Sequence, residues 1–374
     1  MDKLTIRDVD PAGKRVLVRV DFNVPIEDGK VKDDTRIRAA LPTIRSLLER
    51  GGRVILMSHL GRPNGKVVES ARLRPVAQRL SELLRMNVPC TGDALGLGTE
   101  DAISRLKNGQ ALLLENVRFH AAEEANDPAF AKALASYGDI YVNDAFGTAH
   151  RAHASTVGVA EILPAYAGLL MEREIANLSK LLEDPVKPFA AVIGGAKVSG
   201  KIKVLEHLMD KVDLFVIGGG MANTFLVAKG HSVGKSLLEK DRVDDAARIL
   251  SAAEARGVRI LLPTDIVVAK EVTRGAEHKI VPVHKIPNSW SAVDVGPAST
   301  AAFEEALASA RTIVWNGPLG VFEVPTFGDG TRAMARFLSR HAQAGNTVVV
   351  GGGDSVAAIE ELKLADTFTH VSTG

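Results

Sequence analysis

At 374 residues, 46% hydrophobic and 24% charged, the chain has ordinary globular composition and more length than one core usually holds, so two domains are expected. Its 46 basic and 45 acidic residues leave a formal charge of +1, without the broad basic excess of a nucleic-acid or membrane-surface protein, so any cationic site must be local. The single cysteine, Cys90, cannot close an intrachain disulfide, and no apolar run nears the roughly 18 residues that span a bilayer; a soluble protein of a reducing cytoplasm is expected.

Along the chain, short apolar and β-branched runs recur at 15–20, 53–57, 111–114, 140–142, 189–193, 212–217, 258–262, 312–315 and 347–350, with a weaker one at 368–371. Stretches with helical spacing separate them. The pattern predicts an α/β fold with parallel sheets covered on both faces. In such sheets ligands bind beyond the carboxyl ends of the strands. The first four runs release Asp21-Phe22-Asn23, Ser58-His59-Leu60-Gly61-Arg62-Pro63, Glu115-Asn116-Val117-Arg118 and Asn143-Asp144-Ala145-Phe146, the last followed by His150-Arg151-Ala152-His153. Later runs release Gly194-Gly195-Ala196-Lys197, Gly218-Gly219-Gly220, Pro263-Thr264-Asp265, Asn316-Gly317-Pro318 and Gly351-Gly352-Gly353-Asp354. One half presents arginine and histidine, the other glycine. Between them Met171, Ile175, Leu178 and Leu182 form one stripe of an amphipathic helix, ended by Asp184-Pro185 and Lys187-Pro188. The expected organisation is two doubly wound, Rossmann-like domains, 1–168 and 186–374, joined by a helix and hinge at 169–185.

In the basic half, Arg36, His59, Arg62, Arg118, His150, Arg151 and His153 would form a cationic bowl if one sheet gathers their loops at one edge. Guanidinium forks match phosphate and carboxylate bidentately. Asp21 and Asn23 would offer an acceptor and an amide to a substrate hydroxyl or carboxylate. The His-x-x-His spacing has no carboxylate or cysteine cluster beside it, which argues against a metal site.

In the other half, Gly218-Gly219-Gly220 and Gly351-Gly352-Gly353 each stand between an apolar strand and a helical pattern. Glycine permits close backbone approach there and a helix N-terminus favours anions, so phosphate binding is expected. From Gly195 to Ile202 the chain imitates a P-loop, with isoleucine where the metal-binding Ser or Thr belongs; Asp354 could coordinate the metal instead. Dinucleotide fingerprints fail at Asn223 and Val356, which stand in the third glycine's place. Lys197 and Lys201 share a face if a helix starts near Lys197, and would bring cationic charge to a moving phosphoryl group.

Seven segments, in order, closely resemble the phosphoglycerate kinase family: 19–25, 58–63, 115–119, 150–155, 194–198, 315–323 and 351–355. The resemblance implies a monomeric, cytoplasmic glycolytic enzyme that interconverts 1,3-bisphosphoglycerate and MgADP with 3-phosphoglycerate and MgATP, its Mg²⁺ carried by the nucleotide. It places the acid site on Asp21, Asn23, Arg36, His59, Arg62, Arg118 and Arg151. It places the nucleotide site on Gly195, Lys197, Lys201, Gly219, Asn316, Pro318, Glu323, Gly352, Gly353, Asp354 and Ser355. Glu323 would take the ribose hydroxyls, Pro318 would pack near the nucleoside, and Asp354 would ligate Mg²⁺. Relatives often have Thr at Ser355, and the family continues past Ser372-Thr373-Gly374 with a glycine-rich loop and a closing segment.

A carboxylate acceptor is already nucleophilic at neutral pH, so no general base is required. Arg36 and Lys197, one from each half, are the expected catalytic cations, and a hinge closure should bring the two ligands together. Two other readings fare worse. A nucleotide-linked oxidoreductase needs the missing glycine fingerprint. A non-catalytic anion-binding protein gives no reason for Lys197 and Lys201 beside a metal-binding aspartate.

Overall fold

A computed structural model describes residues 3–372, and the chain divides into two compact units, Met1–Ser179 and Lys180–Gly374. The first contains β1 (Arg15–Arg19), β2 (Ile26–Glu27), β3 (Lys30–Val31), β4 (Arg53–Met57), β5 (Ala111–Leu113), β6 (Ile140–Asn143) and β7 (Ala165–Ala167). Five of these form a parallel sheet in the order β5-β4-β1-β6-β7, and β2 and β3 form an antiparallel hairpin. Alternate residues feed two cores. Val16, Val18, Val54 and Leu56 pack with Ile37 and Ile44 of the helix Thr35–Glu49. Leu17, Ile55, Met57 and Leu112 pack with Phe130 and Leu134 of the helix Pro128–Ala135. Both faces are covered, so polar alternation disappears from these strands, and each buried aliphatic side chain contributes about 1.5–3 kcal/mol.

The stripe at 171–182 lies on a helix, Leu169–Glu183. Asp144 Oδ1 accepts from the amides of Leu170 (2.9 Å) and Met171 (3.2 Å), and Thr43 Oγ1 accepts from Leu169 (2.8 Å), which satisfies the orphan donors of its first turn. Met171 is buried and Ile175 and Leu178 half-buried; the Leu182 side chain lies outside the described residues, as do Thr373 and Gly374.

The second unit contains β8 (Phe189–Ile193), β9 (Leu214–Ile217), β10 (Arg259–Leu261), β11 (Asp265–Ala269), β12 (His278–Pro282), β13 (Ser291–Val295), β14 (Thr312–Asn316), β15 (Thr347–Gly351) and β16 (His370–Val371). Six make a parallel sheet in the order β10-β9-β8-β14-β15-β16. Val192, Ile313, Trp315, Val348 and Val350 bury one face against Phe303, Leu307, Met334 and Leu338. A second, antiparallel sheet in the order β12-β11-β13 has no counterpart among the ten runs of the sequence. β12 reads H-K-I-V-P and is largely exposed, so its two apolar residues are too few to stand out as a run. The segment 263–265 accordingly departs from the expected ligand-facing loop. Asp265 opens β11 and its carboxylate accepts from the amides of Ser299 (2.7 Å) and Ala298 (3.1 Å), capping the helix Pro297–Leu307.

In each parallel sheet the strand order reverses beside a central strand, at β1/β6 in the first unit and at β8/β14 in the second. These switch points open crevices at the carboxyl ends of the strands. No helix among the described residues is long and apolar enough to cross a membrane.

Candidate active site

The basic cluster sits beyond the carboxyl ends of β1, β4, β5 and β6, and its loops are tied to one another. Ser58 Oγ accepts from Phe22 N (2.8 Å). Asn116 accepts from the amide of Arg118 (3.1 Å) and donates to the carbonyls of Leu60 (2.8 Å) and Ala71 (2.9 Å). His59 and Arg118 are thereby held as buried side chains, 3% and 4% exposed. Burial, with the positive fields of Arg19, Arg118, Arg36 and Arg151, holds His59 far below its ordinary pKa, so the ring is neutral. Burial also draws Arg118 down; Glu124 opposes this, and Arg151 and Arg19 add to it.

Arg36 Nη1 lies 3.4 Å from both carboxylate oxygens of Asp21 and donates to the carbonyl of Asn23 (3.1 Å). Asn23 Oδ1 accepts from Gly61 N (2.8 Å). Arg118 Nη1 donates to the Gly61 carbonyl (2.9 Å), while its buried Nε has no hydrogen-bond partner and lies 3.5 Å from Glu124. Arg62 is exposed, makes no hydrogen bond among the described residues, and lines a cleft of about 340 Å³ with Asn23 and Gly61. His150 is exposed, and His153 is buried with Nδ1 3.7 Å from Glu123. The structure therefore gathers Arg36, Arg118 and Arg151 into one cationic field around the neutral His59. It adds Arg19, which was not among the site residues expected from sequence. The signal was there: β1 reads R-V-L-V-R, and a charge ending an apolar central strand must be spent on something.

At the β8/β14 crevice two loops meet backbone to backbone. A Cβ on Gly194 would stand 2.2 Å from the Pro318 carbonyl oxygen, so only glycine fits, and Gly195 N donates to that same oxygen (2.9 Å). Pro318 is buried beneath them. Gly219 N donates to Leu319 O (3.0 Å) at the start of the helix Gly219–Ala228. Gly352 takes φ +86° to open the helix Gly353–Glu361, and Ser355 Oγ accepts from Gly317 N (2.6 Å). Open space faces Gly195 and Gly353. Two helix N-termini thus flank a floor of bare backbone, the arrangement that receives phosphate.

Lys201 Nζ donates to Asn316 Oδ1 (2.5 Å); burial lowers its pKa and the nearby Asp354 carboxylate opposes that. Lys197 and Lys201 do not share a helix, contrary to the spacing argument. The helix there is Ile202–Leu208, and Glu239 fixes the preceding turn by accepting from Ser199 N (2.9 Å) and Ser199 Oγ (2.6 Å). Ser199-Gly200 favours a turn, and the lysines instead emerge from a loop that leaves Lys197 exposed. Glu323 is likewise exposed and unbonded among the described residues. Asp354 is exposed in the first turn of its helix, with no hydrogen bond among the described residues. No group of three or more His, Cys, Asp or Glu could hold a metal among those residues. A single free carboxylate suits a hard cation that arrives with phosphate oxygens of its own, so the residues fit nucleotide-borne magnesium.

A doubly wound α/β protein with a buried cationic cluster in one unit and a glycine-floored anion crevice in the other is built as a phosphotransferase. Residues 6–374 match the family model "Phosphoglycerate kinase". The chain is 56% identical to the phosphoglycerate kinase of Moorella thermoacetica over 374 residues, covering all of this chain and 94% of the relative. It is also 56% identical to that of Synechococcus elongatus over 373 residues, covering 99% and 92%. The solved phosphoglycerate kinase of Coxiella burnetii superposes with a TM-score of 0.83 at 44% identity, over 100% of this chain and 94% of that one. The Pyrococcus horikoshii enzyme gives 0.85 at 34%, over 99% and 93%. The chain belongs to the phosphoglycerate kinase family and is a kinase.

Proposed function

We propose that the chain catalyses reversible phosphoryl transfer between 1,3-bisphosphoglycerate and MgADP, giving 3-phosphoglycerate and MgATP, as a cytoplasmic monomer. The observation that carries the acid site is charge held without enough partners: four arginines surround a neutral His59, and the buried Arg118 Nε has no hydrogen-bond acceptor. Such a field is costly until an anion enters it. Asp21, Asn23, Arg36, His59, Arg62, Arg118 and Arg151 would bind the phosphorylated acid. Gly195, Lys197, Lys201, Gly219, Asn316, Pro318, Glu323 and Gly352 to Ser355 would bind the nucleotide.

In the direction of acyl-phosphate synthesis, a carboxylate oxygen attacks the γ-phosphorus, a P–O bond forms, and the bond to the ADP oxygen breaks. No proton moves, which accords with a site built from cations. Lys197 and Arg36 would stabilise the charge spread over the equatorial oxygens, and closure of the hinge would bring the two ligands in line and exclude water. Asp354 would hold the magnesium, which supplies neutralisation of the nucleotide phosphates. MgATP consumption that depends on 3-phosphoglycerate, with the acyl phosphate removed by a coupled reductive step, tests the proposal; consumption indifferent to the acid overturns it.

A further inference from the structure

Arg19 is fully buried at the end of β1, and each arm of its guanidinium is committed. Nη1 donates to the Val20 carbonyl, Nε donates to Ser155 Oγ (2.8 Å), and Nη2 lies 3.1 Å from His59 Nδ1. An arginine can only donate, so His59 Nδ1 must accept and the ring proton must sit on Nε2. The direction propagates the other way as well. Ser155 Oγ accepts from Arg19, so its one proton goes to Glu123 Oε1 (2.5 Å), while Ser155 N donates to Glu123 Oε2 (2.9 Å). Tyr141 Oη, donating to the Ser155 carbonyl (2.9 Å), holds that backbone in place. Ser155 and Glu123 are fully buried, so water cannot substitute for either partner.

We propose that Glu123, Ser155 and Arg19 form a one-way hydrogen-bond relay that locks His59 in the Nε2–H tautomer, making it a fixed neutral donor toward the acid substrate. The three are positioning residues; only His59 touches the ligand. With the single ring proton on Nε2, His59 can donate one hydrogen bond to an anion oxygen. In the other tautomer Nε2 would turn a lone pair toward that oxygen and repel it, and a flipped ring would offer only the Cε1–H in its place. Burial and the surrounding arginines disfavour the doubly protonated ring, which removes the remaining alternative. The inference rests on the reading of His59 as an acid-binding residue.

Histidine ¹⁵N labelling of the whole chain tests it, with Ser155→Ala as the mild variant and Glu123→Gln as the second. In the parent, the His59 Nδ1 resonance should lie in the unprotonated range and that of Nε2 in the protonated range. Both should stay fixed as pH is lowered to 5.5. In Ser155→Ala, the two resonances should shift toward tautomer exchange, KM for 3-phosphoglycerate should rise roughly tenfold, the loss of about one oriented hydrogen bond, and KM for MgATP should stay within twofold. A merely structural serine would lower stability and leave the ¹⁵N pattern alone. If His59→Gln weakens the acid but Ser155→Ala moves neither resonances nor KM, the relay is wrong and the acid site stands. If His59→Gln leaves acid binding unchanged, the acid-site reading falls and takes the relay's purpose with it.

Discussion

The ammonium of Lys201 reaches 2.5 Å from Oδ1 of Asn316, joining the turn after β8 to the end of β14 across the switch point of the second sheet. Lys201 is half-buried and its charge is disfavoured there, so this amide is what keeps it aimed. Asn316→Ala should weaken MgADP binding roughly tenfold, the scale of one hydrogen bond to a charged group. Acid binding should hold within twofold. Calorimetric titration of each ligand reads both values, and an unchanged nucleotide affinity would remove Asn316 from the site.

The two ligands should separate by unit. His59→Ala removes a buried donor from the arginine field, and Arg62→Ala removes an exposed guanidinium from the cleft beside Asn23. Each should weaken 3-phosphoglycerate by about 10–100-fold, with the larger loss at His59, where desolvation strengthens the contact. MgADP binding should be nearly intact in both. Equal losses for both ligands would refute the division.

Turnover should depend on one cation from each unit. Lys197 is exposed and unbonded among the described residues, which leaves it free for a passing phosphoryl group. Lys197→Ala should lower kcat by about 10²–10⁴, or ~3–5 kcal/mol, with little change in KM for MgATP. Arg36→Ala should do the same with the acid substrate. Steady-state rates decide it: a Lys197→Ala enzyme within threefold of the parent is incompatible with the mechanism.

A buried carboxyl that takes no part in the proposed chemistry should write itself into the pH dependence of stability. Asp294, in β13, accepts from the amides of Gly330 (2.8 Å) and Val295 (2.9 Å), and burial pushes it up to about 7. Folded chains therefore keep a proton that unfolded chains release near pH 4. Stability from this group is complete below that and declines as pH rises toward 7. His59 and His153, both lowered, act in the opposite sense through about pH 6.5, so the parent curve is a compromise. Asp294→Asn should be less stable at pH 5, because an amide cannot accept from both backbone donors. Its deficit should shrink as pH rises to 8. Urea denaturation across that range would show the two curves converging; parallel curves would mean that Asp294 does not titrate there.

Much of this was legible because the chemistry lies where apolar strands stop. The runs at 53–57 and 189–193 coincide with β4 and β8, since both faces of each strand are covered and no polar residue interrupts the pattern. The antiparallel sheet was only partly legible: β11 reads D-I-V-V-A, an apolar run like the others, but the exposed β12 and the polar-interrupted β13, S-A-V-D-V, do not stand out beside it. Sequence spacing mislaid the helix after Lys197 for another reason: Glu239, forty residues downstream, decides that turn, and a long-range bond leaves no local trace. Arg19 was overlooked because its partners Ser155 and His59 come from distant loops. Only their meeting gives the charge its meaning.

The sheet absent from the sequence pattern raises a question of self-recognition. β12 lies at its border, with Ile280 55% exposed and one row of backbone donors and acceptors facing outward. Such a border invites a second chain to pair with it. Lys279 stands 4.6 Å over the ring of Trp290 and Lys270 stands 5.5 Å over the same ring, so two hydrated ammonium groups are anchored beside the invitation. A strand arriving from another molecule would have to strip both of water, and Pro282 offers it no amide at the far end. The exposed border of this sheet thus carries its own deterrents to pairing with a second chain.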